Sequence, residues 1–232
     1  MPYFFYPDNL TGNDTYTKIL LHMDGANSGT SFPDTNFGGT AKTWTAHSAI
    51  TDTSTFEFGL SSENCGSTGY IDCPTNADFN LGTGDWTIDH WFNINTAGNG
   101  TARNAFGLDD GATNQAYLGF MTAANVFSCF ASIGGSSFSI TGTVAITTAG
   151  WHHMAFVRTG TSLMMFIDGT QQGTTPTVSG TVLNPATTFS VGRSGARAAS
   201  NWNGFIDEFR LSVGIARWTS NFTPPTQPYG PN

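Results

Sequence analysis

Positive charge is what this sequence has least of: eight Lys and Arg stand against sixteen Asp and Glu, a formal charge of −8, and charged residues make up 10% of the chain. Phosphate backbones and anionic membranes are held by basic patches, so neither is an expected partner. Cations or neutral ligands suit the composition better. No apolar run approaches the ~18 residues of a membrane-spanning helix, so no membrane insertion is expected. The three cysteines are an odd count. Cys65 and Cys73 can face each other across a hairpin, leaving Cys129 unpaired. The N-terminal stretch has neither a basic start nor an apolar core of signal-peptide length, so general secretion is not expected and free thiols are. Zinc needs more ligands at tighter spacing than these cysteines and the scattered histidines supply. Amphipathic stretches of helical length are missing as well, which leaves little room for helix.

What is present is the material of short strands and turns: 232 residues with 28 Gly and 13% aromatics. The clearest pattern is Trp151 to Gly173, where two alternating runs are separated at Gly160 and the second ends on Asp168-Gly169, the signature of antiparallel strands joined by tight hairpins. Lys18 to Asp24, Thr43 to Ala49, Phe56 to Leu60, Gly69 to Asp72, Trp86 to Asn93, Tyr117 to Met121, Val126 to Ile133, Ser137 to Thr141, Val144 to Ile146, Thr188 to Val191 and Gly204 to Ser212 read as further strands. Such a series predicts an all-β chain folded as a two-sheet antiparallel β-sandwich of jelly-roll type. Residues 1–17 are rich in turn formers and read as an N-terminal arm, with Tyr3, Phe4, Phe5 and Tyr6 as an aromatic docking segment for another subunit or for the chain's own domain. The domain proper spans 18–213, and the Pro-rich tail 214–232 is expected to pack on it through Trp218 and Phe222.

The stretches LLHMDG (20–25), FGLSSENCGSTGYIDCPTNADFNLGTGDWTIDHWFN (58–93), WHHMAFVRTGTSLMMFIDG (151–169), SVGR (190–193) and NGFIDEFRLSVGIARWTSNFTPPTQPY (203–229) together resemble the concanavalin A-like, laminin G-like jelly-roll domains. The resemblance implies two curved antiparallel sheets, often one bound calcium, and a binding or structural module. Similar chains occur in marine bacterial surface proteins and as free-standing proteins of tailed bacteriophages. Fold alone does not fix function.

Calcium is tested first. Alternation along Gly204 to Ser212 puts Phe205, Asp207, Phe209 and Leu211 on one face, and a carboxylate in an apolar row needs a metal or several backbone N–H groups. The resemblance makes Asp24 a second contact, with the Gly25 carbonyl and waters completing a shell of about six to eight oxygens. The alternative is that Asp207 caps a loop or pairs with an arginine. Retaining glycosidases need two carboxyls about 5–5.5 Å apart. Only Glu57, Glu63 and Glu208 are glutamates, none begins a Glu-x-Asp-x-x-Glu strand, and Asp85 and Asp89 would lie roughly 13 Å apart at ~3.3 Å per residue. No catalytic residue is assigned. His152-His153 lacks a nucleophile signature and reads as packing and hydrogen bonding.

Sugar binding has more to offer. Thr87, Asp89, Trp91 and Asn93 share a strand face that mixes an aromatic platform with polar groups, although a sandwich also needs large core side chains and Trp91 reads first as one. The loops 192–203, with Arg193, Arg197, Asn201 and Trp202, and 98–111, with Arg103 and Asp109, are further candidates. The expected function is a non-catalytic phage virion protein, decorating the capsid or forming part of a tail appendage. It would assemble in the host cytoplasm with other virion subunits, as a homo-oligomer such as a trimer, and adhere to host glycans. The alternative is an extracellular calcium-dependent carbohydrate-binding module of a bacterial surface protein or polysaccharide-degrading enzyme.

Overall fold

The computed structural model describes residues 12–95, 101–111, 113–196 and 200–230. The arm residues Tyr3, Phe4, Phe5 and Tyr6, and Arg197 in the 192–203 loop, lie outside the described residues. Fifteen strands occur among the described ones: β1 Thr17–Leu21, β2 Thr45–His47, β3 Ile50–Asp52, β4 Ser62–Asn64, β5 Tyr70–Cys73, β6 Trp86–Ile94, β7 Arg103–Asp109, β8 Gln115–Met121, β9 Val126–Ile133, β10 Ser136–Ala145, β11 Trp151–Thr159, β12 Ser162–Ile167, β13 Thr170–Gln172, β14 Phe189–Val191 and β15 Gly204–Val213. A 3-10 turn, Ala77–Phe79, is the helical element among them.

The strands form two antiparallel sheets. One has eight strands in the order β13-β12-β11-β6-β15-β4-β3 with β1 also on β15, and the other has seven in the order β10-β9-β8-β7-β14-β5-β2. Asp168 and Gly169, with φ of 50° and 72°, make the two-residue turn between β12 and β13, the conformation an Asp-Gly pair adopts readily. Alternation turns Trp86, Ile88, His90 and Phe92 of β6 inward against Phe127, Cys129 and Ala131 of β9, and the core runs between the sheets. His90 sits there against Phe92, Phe106, Phe127 and Phe209, and burial pushes its pKa down to about 3. The three cysteines are free and buried, and burial raises each thiol pKa. Glu63 of β4 is fully buried with no hydrogen-bond partner on either carboxyl oxygen; the weakly polar Cys65 thiol lies beside it, and burial pushes its pKa up to about 8.

Several local expectations are corrected. Phe56–Leu60 is a loop, and the strand follows it at Ser62–Asn64. Much of the expected 98–111 loop is strand β7, and the two short strands expected at 137–146 are one strand with a register shift between Thr141 and Ala145. In β15 the alternation breaks: the register shifts between Asp207 and Arg210, with Glu208 at a φ of 47°. This bulge sends Phe209 and Leu211 into the core while Asp207, opposite Trp91, faces outward.

Candidate functional site

The two outer faces of the sandwich differ in what covers them. On the eight-stranded sheet, Asp89 of β6 and Arg210 of β15 are register partners and form a two-pronged ion pair at 3.0 and 3.1 Å. The Tyr229 hydroxyl donates to the same Asp89 carboxylate, His153 Nε2 lies 3.2 Å from that hydroxyl, and the Tyr229 ring lies 3.7 Å from the Arg210 guanidinium carbon. Burial alone would raise the Asp89 pKa, but Arg210 and His153 hold the carboxyl well below the usual range. Arg210 also donates to the Gly12 carbonyl, Arg217 pairs with Asp14 at 2.9 Å, and Asn13 N–H donates to the Gly230 carbonyl. Trp218 stacks on Phe222 at 4.2 Å against His153. Residues 12–14 and the 215–229 segment thus close this face.

Three residues read as sugar contacts are therefore interior ones. Asp89 is 0% exposed and belongs to the ion pair. Trp91, 8% exposed, packs edge-on against Phe58 and His153, and Trp202 is a core side chain between Phe92 and Phe127. A sugar at the surface does not reach them. Arg193 lies on the other sheet's side, 4.5 Å from the Tyr70 ring centroid, whose ring also stacks on His47 at 4.5 Å.

The calcium candidates meet N–H donors. Asp207 Oδ2 accepts from the Glu57 and Phe58 amides at 2.9 and 3.0 Å and its Oδ1 from Glu208 at 2.9 Å; Asp24 Oδ1 accepts from Leu60 and Ser61 at 2.6 and 3.3 Å. The Gly25 carbonyl and amide both engage the Ser61 hydroxyl. Amide hydrogens thus meet both Asp207 oxygens and Asp24 Oδ1, and the two carboxyl groups latch the 57–61 loop.

The outer face of the seven-stranded sheet carries a groove of about 270 Å³ lined by Asn104, Gln115, Leu118, Phe120, Phe130 and Ser139, with Ala102, Ser194 and Ser200. Register aligns the floor: Ser139 of β10 lies opposite Phe130 of β9, Phe130 opposite Leu118 of β8, and Phe120 of β8 opposite Asn104 of β7. Alternation sends Tyr117, Met121 and Cys129 to the core and leaves the Phe120 and Phe130 rings half-buried. One wall comes from the chain before and after residues 197–199. The Ser200 carbonyl accepts from the Asn104 amide at 2.7 Å, the Ala196 amide donates to the Asp109 carbonyl at 2.7 Å, and Ser194 lies over Gly107, where a Cβ would crowd it. Gly195, at a φ of 47°, approaches Asp109 so closely that a side chain would run into its backbone. Beneath the wall, the buried Asp109 carboxylate accepts from Gly111 N–H at 2.8 Å, Ser194 Oγ at 3.1 Å and Gln115 Nε2 at 3.3 Å. No lining residue among those described is acidic, so the groove offers no carboxyl pair for glycoside hydrolysis. Aromatic rings beside amide and hydroxyl groups are the lining of a site for a polar ligand with apolar patches.

The reading of Arg103, Asp109 and the 192–203 loop touched this region, but Leu118, Phe120 and Phe130 were missed. Strand β8 is apolar on both faces, so its periodicity could not say which face stays open. The usable signal was Ser128, Phe130 and Ser132, a polar-aromatic alternation of the kind seen at Thr87 to Asn93.

Residues 65–214 match the profile of the concanavalin A-like lectin/glucanases superfamily, laminin G type. No curated protein matches the chain significantly. Among solved structures, the binding domain of Paraclostridial Mosquitocidal Protein 1 aligns at a TM-score of 0.67 and 13% identity over 87% of this chain and 50% of that one. The binding domain of Botulinum Neurotoxin DC in complex with SialylT aligns at 0.65 and 16%, over 88% and 50%. Domain 4 of AbnA, an extracellular arabinanase of Geobacillus stearothermophilus, in complex with arabinotriose, aligns at 0.54 and 16%, over 87% and 95%. The chain thus spans about half the length of the two toxin domains.

Proposed function

Because this chain belongs to the concanavalin A-like lectin/glucanases superfamily, we propose that it works as a non-catalytic carbohydrate-binding domain, with the groove on the seven-stranded sheet as its sugar site. One observation carries the reading: of the two outer sheet faces, one is closed by the terminal segments, and the other holds a groove with two half-buried phenylalanines among amide and hydroxyl groups. The apolar face of a sugar ring lies on Phe120 and Phe130, and its hydroxyls meet Asn104, Gln115 and Ser139. That solved domains of like fold are in complex with arabinotriose and SialylT supports it. Titration calorimetry with arabinotriose, after a glycan array to find better ligands, tests it. Phe130→Ala and Phe120→Ala each weaken binding roughly tenfold or more while leaving the unfolding transition cooperative. Wild-type affinity in both variants contradicts the assignment.

For its setting we propose a phage particle, assembled in the host cytoplasm, with the domain joined as a homo-oligomer to capsid or tail subunits. The similarity of the sequence stretches to phage chains supports this, as does the place where residue 12 meets the fold, on the sheet opposite the groove. A second setting, a carbohydrate-binding module of an extracellular polysaccharide-degrading enzyme, is favoured by the likeness to the arabinanase domain. Incubation with undecorated particles separates the two: attachment supports the first, and glycan binding without attachment the second.

A further inference from the structure

Beyond the groove, the same outer sheet face holds a second hollow, and strand β9 joins the two. The hollow measures about 480 Å³ and is lined by Asn80, Ser132, Leu183, Asn184 and the Gly134-Gly135 turn. Residues 181–183 lie along the end of β9: Val182 bridges Ile133, the Leu183 amide donates to the Ser132 carbonyl at 2.8 Å, and the Gly134 amide donates to the Thr181 carbonyl at 2.9 Å. Val182 is a core side chain, so alternation turns Leu183, 36% exposed, outward on the side of Ser132. Gly134 and Gly135, at φ of 58° and 81°, link β9 to β10 and bring no side chain to the floor. A Cβ on Gly134 would come within 2.4 Å of the Ser179 carbonyl oxygen. Along β9, alternation turns Ser128, Phe130 and Ser132 to this face in succession. Phe120 lies opposite Ser128, Phe130 lines the groove, and Ser132 lines the second hollow. From the Ser128 row to the Ser132 row is roughly 13 Å at ~3.3 Å per residue, more than one sugar ring spans. Among the described residues, none that lines the second hollow belongs to the 192–203 loop that walls the groove.

We propose that groove and hollow form one continuous site along β9, so that the ligand is an extended stretch of an oligosaccharide or polysaccharide chain, several sugars long, and not a single terminal sugar. Phe120 and Phe130 hold one part of the chain. Leu183 meets the apolar face of a sugar further along, and the Ser132 hydroxyl and the Asn80 and Asn184 amides meet its hydroxyls. Asn80 accepts the Gly82 N–H on its amide oxygen at 3.1 Å, which leaves its Nδ2 to donate. The inference rests on the groove being the sugar site. It adds the direction in which the chain runs and the length of ligand that fills the site.

The test is titration calorimetry with two ladders from monomer to hexamer, one of arabinose and one of the best array glycan. Wild-type affinity rises at least about tenfold from the monomer to the longer members and levels off once the chain fills both cavities. Leu183→Ala lowers affinity for the hexamer at least about fivefold and leaves that for the shortest member that binds within about twofold. Asn184→Ala, at an exposed position, repeats this split. Phe130→Ala lowers both affinities, as a merely structural effect of Leu183→Ala would. Equal affinity for monomer and hexamer, both lost in Phe130→Ala, overturns the extended site and leaves the groove standing. A length dependence that neither Leu183→Ala nor Asn184→Ala reduces overturns it too. Binding to no member of either ladder, or binding indifferent to Phe130→Ala, overturns the groove reading itself.

Discussion

At Glu63 the fold buries an acid with only the weakly polar Cys65 thiol beside it, and burial lifts its pKa from an ordinary 4.5 to about 8. Between those two values the unfolded chain has released the proton and the folded chain still holds it, so stability falls as pH rises through that window and levels off above it. Glu63→Gln, which cannot ionise, removes this part of the pH dependence. Urea denaturation at pH 5, 7 and 9 reads the effect: relative to wild type the variant gains on the order of 4 kcal/mol between the acidic and the alkaline end. Parallel curves for the two proteins contradict the assignment. Asp89 makes the opposite case, an acid satisfied by Arg210 and Tyr229. Asp89→Ala takes the carboxylate away from the buried Arg210, and its urea midpoint should drop by the equivalent of about 3–5 kcal/mol with an unchanged m value. A loss below about 1 kcal/mol would mean that the pair adds little. The sequence did show that Asp89 shares a face with Thr87, Trp91 and Asn93. It could not show the cover, because Tyr229 comes from 140 residues further along the chain.

Among the elements, strand β15 shows where alternation stops being a guide. The bulge at Glu208 turns Asp207 outward, and a one-residue slip of this kind leaves no mark in the pattern FIDEFRLS. What alternation identified was the need: Asp207 wants either a metal or several N–H donors. The structure supplies the Glu57, Phe58 and Glu208 amides. The latched loop carries Leu60 at 72% exposure and only Phe58 packs inward, edge-on against Trp91, so these carboxyl groups hold much of it in place. Asp207→Asn therefore lowers the melting temperature by several degrees, since an amide NH2 at the Oδ2 position cannot accept from the Glu57 and Phe58 amides. Adding calcium or a chelator moves neither wild type nor variant. Calcium-dependent melting of the wild type, abolished in Asp207→Asn, would contradict the latch and restore the ion. Strand existence was legible nearly throughout, from β1 to β15. The exceptions are β3, β4, β7 and β13: three of them are only three residues long, too short for alternation to show, and β7 follows a Gly-rich stretch that reads equally well as a turn.

For the whole molecule, the clasp between the two ends of the described chain decides which face is free. Gly12 and Asp14 hold Arg210 and Arg217, and Asn13 holds Gly230, so residues 12–17 are tied to the sandwich. Removing residues 1–11 should leave the melting temperature within about 2 °C of wild type, whereas removing 1–17 also takes the Arg217 partner and should lower it by more than about 5 °C. If the arm docks on a virion subunit, the shorter deletion alone abolishes attachment to particles. The sandwich itself was readable from composition and turn spacing, because strand alternation is a local property. Which sheet face is open was not, since it depends on where distant segments come to rest. The central claim is that the face left open is where a sugar binds. Its most direct test is calorimetric titration of the best array-selected oligosaccharide into wild type and Phe130→Ala, with thermal unfolding of both as a control. The account predicts saturable binding by the wild type and at least a tenfold loss in a variant that still unfolds cooperatively; equal affinity in the two proteins would contradict it.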